Sequence, residues 1–298
     1  MLALGYAAPA LAADSGAAPW WVWPIALFTL SLALGVFAAH AGVGGGVLFV
    51  PIVSGFFPFH LDFVRGAGLL LALCGALSAG PALLRGGLAS LRLAMPLALI
   101  GSITSIGGAL LGFALPTDVV QTALGVTILA IAALMLGASR HARDHPGTPD
   151  AFAEALGLHG VYYDPAGGRE VAWSAHNTPT AIAAFGGIGV LAGMFGLGAG
   201  WANVPVFNLL MGVPLKLSVG TSSFMLSVVD TSAAWIYINR GAVLPVLVAP
   251  SIIGMMLGAR LGARLLRIVP TALVRRVVLA LLLIAGMRAL LKGLGVWN

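Results

Sequence analysis

Glycine and proline recur in one register across the two halves of the chain. Pro51 and Pro205 stand 154 positions apart, and the same spacing carries Gly35 to Gly189, Gly42 to Gly196, Gly44 to Gly198 and Gly46 to Gly200. It also carries Gly66 to Gly220, Gly87 to Gly241, Pro96 to Pro250, Gly108 to Gly262 and Pro116-Thr117 to Pro270-Thr271. No gap interrupts the register from Gly35 to Thr117. These two residue types fix special backbone conformations, so shared apolar composition alone does not produce the match. The pattern reads as a duplication, and duplicated halves in an apolar chain point to a secondary transporter.

Composition says what each half is made of. Of 298 residues, 60% are hydrophobic and only 8% are charged, too few charges to coat a soluble surface. That excludes a soluble enzyme and a nucleic-acid module, despite a net charge of +6. Apolar windows of roughly 17–25 residues mark membrane segments. They fall at 21–40, 44–59, 63–84, 93–115 and 119–139, then at 180–195, 198–212, 217–238, 243–266 and 271–291. The expected fold is an all-α polytopic membrane protein with membrane repeats at 19–139 and 180–298. A polar loop, 140–179, joins them and holds most of the acidic side chains and four of the six histidines. Its His141 and His145 have metal-ligand spacing, but Pro146 and the neighbouring charges make it a solvated surface, and no metal is expected. Residues 1–18 are leader-like or a disordered tail. They end an apolar run in small residues before Asp14 but lack a basic start. The single cysteine, Cys74, allows no internal disulfide and no dithiol relay, and reads as a small core residue.

Arginine placement orients the halves. Arg85 and Arg92 flank the junction of the third and fourth segments in the first half, where the second half has Asn239 and Val246. At the next junction the second half has Arg264, Arg267, Arg275 and Arg276, where the first has Leu110, Phe113, Gln121 and Thr122. Lys and Arg collect on the cytoplasmic side, so the repeats are expected to be inverted. The loop 140–179 then lies in the cytoplasm of a bacterial-type inner (plasma) membrane, with both termini outside; Arg288 and Lys292 oppose that placement of the C-terminus. Inversion requires the first two segments of each half to return to their starting side. They do so either as two passes or as a hairpin entering and leaving one face; the second segment is short and follows a glycine run, so a broken or re-entrant element is expected.

The break falls at Gly42-Val43-Gly44-Gly45-Gly46 and at Gly196-Leu197-Gly198-Ala199-Gly200, each followed by Val-Pro. Clustered glycine unwinds a helix and bares its amides, which a bilayer tolerates only where protein or a wet cavity satisfies them. A new helix opens after each run, and helix N-termini attract anions. Gly44, Gly45, Gly46, Gly198, Ala199 and Gly200 are therefore candidates to bind one small anion between the two turns. The competing reading is close helix packing through small residues.

These motifs resemble those of the TauE/SafE, or sulfite exporter, family. The resemblance includes Asn208-Leu-Leu-Met-Gly-Val-Pro-Leu-Lys216, Gly220-Thr-Ser-Ser-Phe224 and the loop element Leu158-His-Gly-Val-Tyr-Tyr-Asp164, and it spans roughly 21–294. It implies a carrier of small anions such as sulfite, thiosulfate or a sulfonate, with no cofactor. The chain departs from the commoner triple glycine at Gly198-Ala199-Gly200, followed by bulky Trp201 and polar Asn203. The two turns should therefore contact a substrate unequally.

Polar residues inside apolar segments complete the candidates. Asp230 lies mid-segment opposite Ala76 in the repeat and could carry a coupling proton, or hydrogen-bond statically. His40, near the first turn, could titrate or simply pack. Thr221, Ser222 and Ser223 could ligate an oxyanion or bond back to their own helix, and the Asn203 amide could donate to one. Arg65 reads as a side chain reaching for the interface. The expected function is a secondary transporter, with a homo-oligomer possible. The alternatives are a membrane-embedded enzyme or assembly factor in sulfur metabolism, or an anion channel. No catalytic cluster and no ATP-binding glycine loop occur in the sequence.

Overall fold

The computed structural model describes residues 19, 21–41, 45–137, 149–164, 168–265 and 271–296. The leader-like segment 1–18, Gly44, His141, His145 and the side chain of His40 lie outside the described residues.

The apolar segments are helical. The first half forms α1 (Val22–Ala41), α2 (Gly45–Phe56), α3 (Leu61–Arg85), α4 (Leu91–Ala114) and α5 (Thr117–Gly137). A short α6 (Ala151–Ala155) and two strands, β1 (His159–Asp164) and β2 (Arg169–Ser174), follow. The second half forms α7 (Thr178–Phe195), α8 (Gly200–Pro205), α9 (Leu215–Asn239), α10 (Pro245–Leu265) and α11 (Thr271–Gly293). Leu61–Arg85, Leu91–Ala114, Thr117–Leu136 and Thr178–Phe195 are each long and apolar enough to cross a bilayer. Shorter apolar helical stretches accompany them, and the whole is a polytopic membrane architecture.

The all-α expectation needs one correction. The loop contains an antiparallel hairpin in which Gly160 pairs with Trp173 and Tyr162 with Val171. Alternating aromatic and β-branched residues favour a pleated, half-buried surface. Tyr162 and Trp173 are buried on one face, while Val161 and Tyr163 are exposed on the other. The hairpin lies over the α3–α4 connection, where His159 and Trp173 share a cavity with Leu84 and Arg92. Asp150 ties this loop to the bundle by accepting from Ala153 N–H at 2.6 Å and Thr178 N–H at 2.5 Å. Desolvation raises the pKa of its carboxyl, but those two amides, the Thr178 side chain and the nearby His176 together hold the group below the ordinary carboxylate value.

The second element of each half turns back. α2 has 12 residues, about 18 Å of helix, well short of a ~30 Å hydrocarbon core. Trp23, at the start of α1, packs edge-on against Phe57 and Phe59 beyond the end of α2, with ring centroids 6.0 and 5.6 Å apart. In the second half, Asn177 Nδ2 donates to Leu210 O at 3.2 Å and His176 N–H to Met211 O at 3.1 Å. Each pair of segments thus starts and finishes at the same end of the bundle.

Helices of one half pack mainly on those of the other: α1 on α10, α7 on α4, α3 on α9 and α5 on α11. The contacts repeat in register. Gly66 lies against the Ala242 carbonyl and Gly220 against the Leu88 carbonyl, the same pair of positions with the halves exchanged. The start of α3 therefore meets the end of α9, and the two helices run antiparallel. A Cβ on Gly35 would sit 2.5 Å from Met255 O, and one on Gly189 would sit 2.7 Å from Gly101 O, again the same pair. α5 and α11 are also antiparallel, with Gly125 against Leu290 and Gly286 against Ile128.

At Gly35, Gly66 and Gly220 the approach is to backbone, so no side chain can yield there. Gly220→Ala is expected to destabilise the protein by about 1–3 kcal/mol. Gly187→Ala, where an added Cβ meets nothing within 4 Å, should stay within about 0.5 kcal/mol of the parent. Thermal unfolding of the two variants in detergent checks the contrast, and equal stability would count against the packing described.

Candidate functional site

The site grows from the end of α7. At Gly196 the chain turns into the left-handed region, with φ of 65°, and its N–H donates to Ala192 O at 2.9 Å. Gly198 adopts a second positive φ, 70°. Glycine alone takes such angles without strain, and neither position has room for a methyl group. A Cβ on Gly196 would strike the Arg65 carbonyl, and one on Gly198 would lie 2.8 Å from Ala72 Cβ and 3.1 Å from Asp230 Oδ2. The turn is thus pressed between α3 and α9. The opening of α2 joins it from the other half. A Cβ on Gly46 would sit 2.7 Å from Leu197 O and 2.8 Å from Gly68 O. A Cβ on Gly45 would meet the flexible Met255 side chain instead, 2.8 Å from its Cε.

Polar groups without partners gather on this turn and on the helices beside it. Asp230 is fully buried, and neither carboxyl oxygen has a hydrogen bond among the described residues. The same holds for both amide atoms of the fully buried Asn203 and for the indole N–H of Trp201. Trp201 and Asn203 lie in the first turn of α8, which begins at Gly200 and follows the buried Ala199. Among the described residues the amides of Gly198 and Ala199 donate to no acceptor. A buried polar atom with no partner is rare in a folded protein and asks for a reason.

The remaining candidates sit elsewhere. Thr221 Oγ1 accepts from Ser90 N–H at 3.1 Å, and Ser223 Oγ donates to Val219 O at 2.9 Å. Ser222 is buried. Nine residues of α9 separate Thr221 from Asp230, a rise of about 13 Å, so the hydroxyl triplet stands at the α3–α4 connection. Asn208 donates to Val213 O at 2.9 Å. It lies in the π-helical stretch Val206–Leu210 that follows Pro205. Pro205 cannot donate an N–H, and the chain beyond it widens into a geometry frequent at functional sites. α2 carries Pro51 without such a widening, so the two turns are unequal.

Arg65 corrects the sequence reading. It does not reach the interface; it is 1% exposed. Its Nη1 donates to Met194 O at 2.8 Å, its Nη2 to Gly112 O at 3.3 Å, and it pairs with Asp62. Phe113 and Tyr237 lie 5.2 and 5.8 Å from its guanidinium carbon. Tyr237 Oη also donates to Gly193 O at 2.8 Å. Cation and phenol together satisfy the last carbonyls of α7, where a positive charge opposes the helix dipole favourably. The signal available in sequence was an arginine inside an apolar segment, one residue before the shared Gly66.

The model of the sulfite exporter TauE/SafE family matches residues 27–289, nearly the whole chain. No curated protein and no solved structure matches it.

The clamp on α7 is separable from the turn it supports. Tyr237→Phe removes one hydroxyl donor from Gly193 and should cost about 1–3 kcal/mol of stability. Arg65→Met should cost more, because it takes a charged donor from both Met194 O and Gly112 O and leaves Asp62 without its arginine partner. Thermal unfolding in detergent orders the two, and an Arg65→Met protein as stable as the parent would refute the clamp.

Proposed function

The chain thus belongs to the sulfite exporter TauE/SafE family, and we propose that it is a secondary carrier moving a small sulfur oxyanion, such as sulfite, thiosulfate or a sulfonate, across the membrane. The observation that carries this reading is the Asp230 carboxyl, buried against the Gly198 turn with neither oxygen hydrogen-bonded among the described residues. The anion binds near the midplane at the turn, where the amides of Gly198 and Ala199, the Asn203 amide and the Trp201 indole offer donors without adding charge. Gly46, at the opening of α2, closes the site from the first half. An ionised carboxylate a few ångströms from an oxyanion repels it strongly in a medium of low dielectric. A protonated Asp230 donates a hydrogen bond to it instead, so anion and proton bind together.

The halves act as inverted repeats. Antiparallel α3 and α9, antiparallel α5 and α11, and the exchanged Gly66 and Gly220 contacts support this. Rocking of one half against the other then exposes the site to alternate sides. The loop 140–179 and the arginine-rich junctions are cytoplasmic and the termini outside. Arg288 and Lys292 do not oppose this placement, because Arg288 Nε donates to Gly55 O at 2.6 Å and Lys292 Nζ to Ser54 O at 2.9 Å. They cap α2 rather than mark the cytoplasm.

Two experiments test the reading. In proteoliposomes, flux of labelled sulfite should accelerate under a pH gradient of the same direction. Asp230→Asn, which mimics the protonated carboxyl, should lose that response yet bind sulfite within a few-fold of the parent. An Asn variant that purifies normally and still follows the pH gradient would remove Asp230 from coupling. For topology, cysteines at Gly87 and Pro270 should label from the cytoplasm and one at Thr117 from outside, in a Cys74→Ala background. Labelling of Thr117 and Pro270 from one side would end the inverted-repeat reading.

A further inference from the structure

The duplicated register allows each helix contact to be compared with its copy, and one pair of copies differs. Between α4 and α9, Ser105 Oγ donates to Val229 O at 3.3 Å. A Cβ on the neighbouring Gly101 would sit 3.0 Å from the Val229 side chain. That junction is shut. The same positions in the other copy are Ala259 on α10 and Gly75 on α3, with Met255 in place of Gly101. There the helices stand apart around a cavity of about 310 Å³, lined by Cys74, Gly75, Ser78, Met255, Ala259 and Arg260 among others. A Cβ on Gly75 would meet nothing within 4 Å.

The cavity has direction. Ser78 and Arg260 lie toward the ends of α3 and α10, at the end of the bundle that carries the α3–α4 connection. Met255 lies deeper and faces Gly45, the first residue of α2. A guanidinium at the mouth raises the local concentration of anions and disfavours cations.

We propose that this cavity is the path by which the anion enters or leaves at the cytoplasmic end, with Arg260 as the charge filter at its mouth and Met255 as the plug between it and the α2 turn. The α4–α9 junction is its closed counterpart, and the Ser105–Val229 hydrogen bond is one contact that must break when the opposite side opens. The proposal rests on the carrier reading, in that a path needs a cargo.

Cys74, the only cysteine of the chain, reports on the cavity without any engineering. The probes are membrane-impermeant methanethiosulfonates bearing a sulfonate or a quaternary ammonium. They are applied to right-side-out and inside-out vesicles containing the full-length protein. The native protein should react from the cytoplasmic side alone, and faster with the sulfonate reagent by about tenfold. Arg260→Gln should abolish that charge preference while leaving the thiol reactive. Reaction from both sides, reaction only with a bilayer-permeant maleimide, or a preference unchanged by Arg260→Gln would each overturn the proposal. Sulfite flux measured on the same vesicles keeps the two readings apart. Flux that survives complete modification of Cys74 refutes the path but leaves the carrier. One-sided, charge-selective labelling of a protein with no sulfite flux upholds the cavity and refutes sulfite as cargo.

Discussion

A helix that ends inside a bilayer leaves its last carbonyls without water, and something in the protein must receive them. For α7 that duty falls on Arg65 and Tyr237, which reach from α3 and α9 to the carbonyls of Gly193 and Met194. The last carbonyls of α2, at the end of the bundle where α1 begins, are received in the same way by Arg288 and Lys292, which reach from α11 to Gly55 O and Ser54 O. Each broken element is held by a cation from a helix on which it packs. Without these donors the turn at Gly196 would lack a fixed starting point, and the groups it positions would lose their register against Asp230.

The architecture was open to inspection in the sequence because it depends on residues that leave a backbone signature. Gly66 and Gly220 stand where a Cβ would meet a carbonyl of the other half, so no other residue fits and the duplication stays visible. The apolar segments showed because their length and polarity answer to the solvent, not to any partner. Arg65 was misread for the opposite reason. Its charge suggested the interface, and Asp62 three residues away gave it a visible partner, but the contacts that bury it are to backbone carbonyls 47 and 129 residues away, and backbone carbonyls carry no sequence signal. The hairpin at 159–174 was missed because its two strands are only six residues each and sit in a loop whose polar and charged residues dominate any longer window. The polar triplet was offered as oxyanion ligands for its hydroxyls, yet α9 sets it about 13 Å along its axis from Asp230.

The duplicated plan is not duplicated in its chemistry. Asp230 answers to Ala76, Asn203 to Phe49 and Trp201 to Val47 at the same spacing. The first copy buries Val47 and Phe49 in apolar packing, while the second leaves polar atoms with no partner among the described residues. One turn therefore supplies shape and the other supplies hydrogen-bonding capacity. A π-helical stretch after Pro205 accompanies the polar copy and is absent from α2.

The exchange of helices between halves has a consequence for how such a chain can arise and fold. α1 lies backbone to backbone against α10, and α7 against α4. Neither half keeps its first helix for itself. Cut at the connecting loop, each piece would present to lipid the glycine-lined face that its sister should cover. An unduplicated ancestor would have met that need only by pairing with a second copy of itself. The covalent loop then converts a bimolecular encounter into an intramolecular one, and frees each copy to change its side chains independently of the other.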